Sequence, residues 1–221
     1  YDTDGNFLQR VDDGLVNDLL PSVLSEPVEC VVDLGCGTGR NTAKLLQYNT
    51  VQRVIGLDAT PGMLARARAR PGMDDARLQL WQYDLLADSP ACASFLPPGG
   101  ADGVVSTLVI EHLPALPVFF VRVHGMLRSG GWLLVTNMHE DMGALTGANF
   151  LDADGVRVTM DKFVHTAAGV RDAALACGFE LRGAPEERRV EDEGHAGALG
   201  GGAPKFVGVK VLFGMVFVKG A

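Results

Sequence analysis

Ten residues constrain the fold of this chain more than any others. Val31-Val32-Asp33-Leu34-Gly35-Cys36-Gly37-Thr38-Gly39-Arg40 reads as a short buried strand, closed by an acid and a glycine-rich turn, with a helix beginning at about Asn41. Glycine tolerates positive φ and close backbone approach, and the first N–H groups of the following helix have no partner inside it. A strand that feeds a helix through such a turn opens a βαβ unit, so a parallel sheet is expected. Taken alone, the turn is also compatible with a tight corner packed on the next helix. Its spacing narrows the choice. A nicotinamide or flavin fingerprint, Gly-x-Gly-x-x-Gly/Ala, wants a small residue at position 40, where Arg40 stands. A Walker phosphate loop wants Gly-Lys-Ser/Thr, which is missing. The observed Gly35-x-Gly37-x-Gly39, two residues after Asp33, does not require a pyrophosphate.

Alternation of the same kind continues along the chain. Short apolar runs at Val31–Leu34, Val54–Leu57, Leu78–Tyr83, Gly103–Ser106 and Trp132–Thr136 are separated by helical segments near Asn41–Gln47, Pro61–Arg70 and Pro117–Leu127. Five strands alternating with helices predict an α/β, doubly wound sheet. Before it, Phe7, Leu8, Val11, Leu15, Val16, Leu19 and Leu20 recur at helical spacing, and Pro21 is expected to close this N-terminal cap helix within residues 1–26. After the fifth strand the stretch Asn137–Lys162 has no strong period and reads as a lid, with a hairpin turned at Asp154-Gly155. A helix follows at Ala167–Cys177, stopped by Gly178. Two closing strands, Phe179–Arg182 extended towards Val190 and Val207–Val218, are joined by the glycine-rich segment Glu191–Pro204, which is expected to be a mobile loop. Strands joined without a helix suggest an antiparallel finish. No internal repeat and no domain boundary interrupts the pattern, so residues 1–221 are read as one domain, with 137–165 as the lid insertion.

Charge and composition exclude several classes. The chain has 221 residues and 47% hydrophobic content, enough for a substantial core, and its formal net charge of −8 disfavours nucleic acid as a partner. The basic clusters Arg66, Arg68, Arg70 and Arg188-Arg189 read as solvated surface. No run reaches the roughly 18–20 apolar residues of a membrane helix. There is no basic-then-apolar leader, although the sequence opens at Tyr1 rather than Met, which leaves an upstream segment open. Cys30, Cys36, Cys92 and Cys177 form no CxxC pair and read as reduced thiols. A cytoplasmic monomer or homodimer, with no membrane partner, is expected.

The second strand ends at Gly56-Leu57-Asp58, where an acid can accept hydrogen bonds from both hydroxyls of a ribose. The third ends at Gln82-Tyr83-Asp84-Leu85, where Asp84 could meet an adenine amine or cap the next turn. With Asp33, these acids stand at three successive strand ends. The set resembles class I S-adenosylmethionine-dependent methyltransferases, of the small-molecule kind similar to the type 11/12 domains. The resemblance spans about Val28 to Lys219: Val31–Gly39, Val54–Asp58 with Ala59-Thr60-Pro61-Gly62-Met63, Tyr83-Asp84-Leu85, Ala101–Ser106 with Glu111-His112-Leu113, and Leu212–Lys219.

That resemblance implies a Rossmann-like seven-stranded sheet of order 3-2-1-4-5-7-6 with the last strand antiparallel, and S-adenosyl-L-methionine as cofactor. It implies that Asp33, Gly35 and Gly37 lie at the methionine part and Asp58 at the ribose, with Cys36 and Ala59 also among the cofactor-binding residues. Met63 and Leu85 would lie on the adenine faces, Asp84 at its amine and Ser106 beneath the sulfonium. Tyr1-Asp2 resembles an N-terminal element that covers the cofactor.

Methyl transfer needs alignment and a dry site, with acid–base help when the nucleophile carries a proton. His112, just after the fourth strand, is the first candidate base, against a structural hydrogen bond to a loop. His139 follows the fifth strand in Asn137-Met138-His139-Glu140-Asp141-Met142 and is the second. Glu111, Met138, Met142 and His165 complete the expected acceptor wall, although His165 also suits a helix cap. His139-Glu140-Asp141 has no metal-ligand spacing, so no metal is expected. Cys36 suits packing better than redox chemistry. The expected activity is methyl transfer to an oxygen or nitrogen of a small molecule. The alternatives are a silent cofactor-binding regulatory partner and an enzyme that forms methyl esters on a carboxylate.

Overall fold

The computed structural model describes residues 6–87, 95–146, 149–151, 157–159 and 162–220. Its elements are α1 (Phe7–Val23), β1 (Val28–Leu34), α2 (Arg40–Leu46), β2 (Val51–Asp58), α3 (Pro61–Ala69), β3 (Leu78–Gln82), β4 (Ala101–Thr107) and α4 (Leu116–Met126). They continue as β5 (Leu127–Met138), α5 (Glu140–Gly143), β6 (Asn149–Leu151), β7 (Arg157–Thr159), α6 (Ala167–Ala176), β8 (Phe179–Arg189), α7 (Glu193–Leu199) and β9 (Lys210–Lys219).

Seven strands form one sheet in the order β3-β2-β1-β4-β5-β9-β8. β1 to β5 pair in parallel, and β9 runs antiparallel between β5 and β8. Counted within this sheet, that is the expected order 3-2-1-4-5-7-6. The central strands are buried on both faces, which is why they read as unbroken apolar runs rather than as alternation. On one face Val16 and Leu20 of α1, Leu45 of α2 and Ala67 of α3 pack on Val31, Val54, Val105 and Leu134. On the other, Phe119, Phe120 and Val123 of α4 and Val170 and Ala174 of α6 cover Val32, Val104, Leu133 and Phe217. The Phe120, Phe179 and Phe217 rings meet edge to face, with centroids 6.0 to 6.3 Å apart. Truncating one such buried ring costs about 3–5 kcal/mol.

Two expectations are corrected. Pro21 does not close α1, which continues to Val23. A proline in the last turn removes only its own N–H bond, while Val23 and Leu24 are buried and hold the turn against the core. Glu191–Pro204 is not an open loop: it holds α7 and, across its end, a 3₁₀ turn at Ala203–Phe206. Asp192 caps α7 by accepting from the His195 N–H at 2.8 Å, and Ala196, Ala203 and Phe206 are buried. The Phe206 ring stacks on Phe7 of α1 with centroids 5.4 Å apart. Glycine frequency concealed a short apolar face.

Within the expected lid, Asn137 and Met138 belong to β5, α5 follows, and β6 pairs antiparallel with β7. The turn residues Asp154 and Gly155 lie outside the described residues, as do Tyr1, Asp2 and Cys92. Gly178 ends α6 with φ +85° as expected. No helix among the described residues is long and apolar enough to cross a membrane.

Candidate active site

The strand order reverses between β1 and β4, and in open α/β sheets ligands sit at the carboxyl ends of strands beside such a reversal. The glycine turn stands there. The N–H groups of Gly35 and Cys36 both donate to the Leu57 carbonyl, at 2.7 and 2.9 Å, and anchor the turn to β2. Gly35 has φ +77°, and a side chain on it would strike Val109. Gly37 has φ +55°, yet a Cβ placed there would meet nothing within 4 Å. Its backbone therefore faces open space, a cradle that a ligand atom can approach closely, and this is the observation that fits S-adenosylmethionine at the turn.

Asp58 closes β2. One oxygen accepts from the Gly37 N–H at 2.9 Å and the other from the Thr60 N–H at 2.8 Å, which fixes the carboxylate and leaves each oxygen a lone pair for a hydroxyl. The Tyr83 N–H donates to the Asp58 carbonyl at 2.9 Å and brings the β3 end alongside. There Asp84 is exposed and accepts from the Leu86 N–H, while Leu85 is buried. Ala59 is exposed and Met63 half-buried at the start of α3.

Asp33, Cys36 and Ser106 lie deeper. Asp33 accepts from the Thr42 hydroxyl at 2.6 Å, joining β1 to α2, and burial pushes its carboxyl up to about 6. Ser106 is fully buried and donates to the Leu34 carbonyl at 3.0 Å, bracing β4 on β1. Burial, aided by the Asp33 and Asp58 charges, pushes the Cys36 thiol up, which suits packing and opposes thiolate chemistry. These side chains shape the turn from below.

At the ends of β4 and β5 the chain turns through Leu108, which has φ +56° without being glycine and carries real strain. A 3₁₀ turn, Ile110–His112, follows. Glu111 points inward. Its side chain is 13% exposed, the Met138 N–H faces it, and its Oε2 is buried without a hydrogen-bond partner among the described residues. Burial pushes this carboxyl up to about 7, with Lys162 opposing and Asp12 adding to the rise. His112 stands at the rim, half-exposed, with Nε2 3.8 Å from Glu111 Oε1, and partial burial lowers its proton affinity.

His139 is placed differently from its expected role. Its ring is buried, Nδ1 accepts from the Asp141 N–H at 3.1 Å and caps α5, and Nε2 lies 3.4 Å from Glu187 on β8. Both nitrogens are engaged, so the ring is not presented to a substrate proton. His165 is bonded through Nε2 to the Leu113 carbonyl at 2.9 Å. Met142 is buried and Met138 half-buried, and both pack with the apolar residues of α1.

Sequence reasoning missed a buried polar network beneath α1. Asp12, fully buried, receives the Arg40 guanidinium and the Thr136 hydroxyl, and Asp13 receives Arg40 and Lys44. Burial works against the Arg40 charge, and the two carboxylates more than offset it. Asn41 donates to the Thr107 hydroxyl at 2.7 Å, and Thr107 pairs with Thr136 in register. The signal was present in Arg40, a large cation at a glycine turn, but its partner lies 28 residues away. Among the described residues no group of three His, Cys, Asp or Glu side chains could hold a metal ion.

Comparisons with known proteins agree with this geometry. Residues 32–135 match the family model described as a methyltransferase domain. An uncharacterized methyltransferase of Emericella nidulans is 42% identical over 97% of this chain and 85% of its own length. The trans-aconitate 2-methyltransferase of Methylobacterium radiotolerans is 35% identical over 53% of this chain and 41% of its own. A solved S-adenosylmethionine-dependent methyltransferase of Mesorhizobium loti shares the fold, with TM-score 0.64 at 22% identity over 90% of this chain and 96% of that one. With its sheet order, its open glycine turn and the acids closing β2 and β3, the chain belongs to the class I S-adenosylmethionine-dependent methyltransferases.

Proposed function

We propose that this enzyme transfers a methyl group to an oxygen or nitrogen of a small-molecule acceptor. The observation that carries the reading is the partly buried polar wall at the β4 and β5 ends, where Glu111 Oε2 and Asn137 Oδ1 are buried without partners among the described residues. Unsatisfied buried groups in a native fold call for an explanation, and an acceptor that fills them supplies one. A net charge of −8 argues against a nucleic-acid acceptor.

When bound, S-adenosylmethionine supplies an electrophilic methyl on a positively charged sulfur. Gly35, Gly37 and the main chain of Cys36 would hold its methionine part, Asp58 and Ala59 its ribose, and Met63, Asp84 and Leu85 its adenine. Asp33 and Ser106 would position the turn and the strand end. The N-terminal helix and residues 137–165 would close over the acceptor and exclude water, which strengthens every charge interaction inside. His112, at the rim, would pass a proton to solvent. Free Cys30, Cys36 and Cys177 suit a cytoplasmic setting.

A second reading, methyl-ester formation on a carboxylate, is favoured by the partial similarity to trans-aconitate 2-methyltransferases. The test is methyl uptake from labelled S-adenosylmethionine across acceptors bearing hydroxyls, amines or carboxylates. Turnover of a hydroxyl or amine, lowered in His112→Ala with cofactor affinity retained, supports the first reading. Turnover of carboxylates alone supports the second.

A further inference from the structure

Glu111 is the group at this site whose chemistry is least used by the fold. Among the described residues its Oε2 is buried with no hydrogen-bond partner, and Asn137, one residue before the Met138 N–H that faces Glu111, has an unpartnered Oδ1 and is 1% exposed. Both unsatisfied atoms are hydrogen-bond acceptors. The N–H donors of the nearby cations are directed elsewhere. Lys162 donates to the Gly143 carbonyl at 3.1 Å, the Thr146 carbonyl at 2.6 Å and the Thr146 hydroxyl at 2.8 Å. Arg40 is bound by Asp12 and Asp13. The charged or titratable groups facing Glu111 are thus Lys162 after β7, Asp12 from α1 and His112 on its own turn. An anionic acceptor entering here would meet the ionised Glu111 carboxylate directly, with the Lys162 N–H donors turned to neutral oxygens and Asp12 already paired with Arg40, and like charges in a site shielded from water repel strongly.

We infer that the acceptor is a primary or secondary amine, bound as its ammonium form by Glu111 Oε2, and that Glu111 takes the proton that frees its nitrogen. The inference rests on the methyltransferase reading above and narrows it to nitrogen. The ammonium R–NH3⁺ gives one proton to the Glu111 carboxylate and becomes R–NH2. The nitrogen lone pair then forms the N–C bond as the C–S bond breaks, and that bond's electron pair leaves with sulfur. The product is R–NH2⁺–CH3 beside a neutral thioether. Glu111 returns its proton to solvent by way of His112, 3.8 Å away. A carboxyl that ionises near neutral pH suits both halves of this cycle, binding the cation as the anion and holding the proton as the acid.

The test uses the full chain loaded with S-adenosylhomocysteine, titrated calorimetrically with methylamine, benzylamine, phenethylamine and putrescine, and in parallel with citrate and trans-aconitate. At least one amine is expected to bind, more tightly as pH rises through about 7. Glu111→Gln is expected to weaken it by at least about tenfold. The variant's unchanged affinity for S-adenosylhomocysteine shows that it is folded. Absence of amine binding in the loaded protein overturns the inference, as does equal binding by Glu111→Gln or methylation of the polycarboxylates. Failure of the wild type to bind S-adenosylhomocysteine would instead overturn the methyltransferase reading beneath it.

Discussion

Glu111 makes a quantitative claim about stability that needs no substrate. Its carboxyl ionises at about 7 in the folded chain against an ordinary value of 4.5, because burial penalises the anion. A group raised in this way is protonated in both states below about pH 4.5 and costs nothing there. Between 4.5 and 7 the unfolded chain releases the proton first, so folding loses stability as pH rises. Above 7 the full cost is present. The displacement corresponds to about 3 kcal/mol. Glu111→Gln keeps the shape and removes the ionisation. Asp33 contributes in the same direction, with its carboxyl raised to about 6, but it is shared by both proteins and cancels in the difference. Any constant cost of burying the glutamine amide cancels as well when two pH values are compared. Urea unfolding of both proteins at pH 5 and pH 8 should therefore show the variant gaining about 2–3 kcal/mol on the wild type over that interval. A gain below about 0.5 kcal/mol, the usual scatter of surface substitutions, would refute the burial argument for Glu111.

Three further outcomes follow from the same geometry. Gly35→Ala places a methyl group against Val109 at φ +77°, and the left-handed backbone alone costs about 1–2 kcal/mol. Thermal unfolding should show that loss, and calorimetry should show weaker cofactor binding. Asp58→Ala removes the acceptor of the Gly37 and Thr60 N–H groups together with the proposed ribose contact, so affinity for S-adenosylhomocysteine should fall at least about tenfold while the fold, followed by circular dichroism, persists. Asp12→Ala leaves the Thr136 hydroxyl without its acceptor beneath α1 and Arg40 with the Asp13 carboxylate alone, which should cost about 1–3 kcal/mol in denaturant unfolding.

What the sequence made legible was local or repetitive. β1, β2, β4 and β5 are buried on both faces, so their apolar runs stood out, and the glycine turn declared itself by spacing. The sheet order came with the family resemblance rather than from periodicity. What escaped depends on partners distant in the chain. Pro21 reads as a stop until Val23 and Leu24 are seen buried against the core. The segment after Val190 reads as a loop until Phe206 is seen stacked on Phe7. Arg40 is a misfit to a dinucleotide fingerprint, but nothing local points to Asp12. His139 was placed correctly at the end of β5, yet no pattern reveals that its ring turns towards Glu187 on β8. Glu111 reads from the sequence as part of the acceptor wall, but nothing in Ile110-Glu111-His112 shows that its carboxyl is buried and its proton affinity raised.

The most direct test of cofactor chemistry at this site is calorimetric titration of the folded chain with S-adenosylmethionine and S-adenosylhomocysteine, with NADH as control. The open Gly37 turn and the fixed Asp58 carboxylate predict saturable binding of the first two, and Arg40, where a dinucleotide fingerprint needs a small residue, predicts none of NADH. A folded protein that gives no binding heat with either, or that binds NADH instead, would contradict the assignment of this site to methyl transfer.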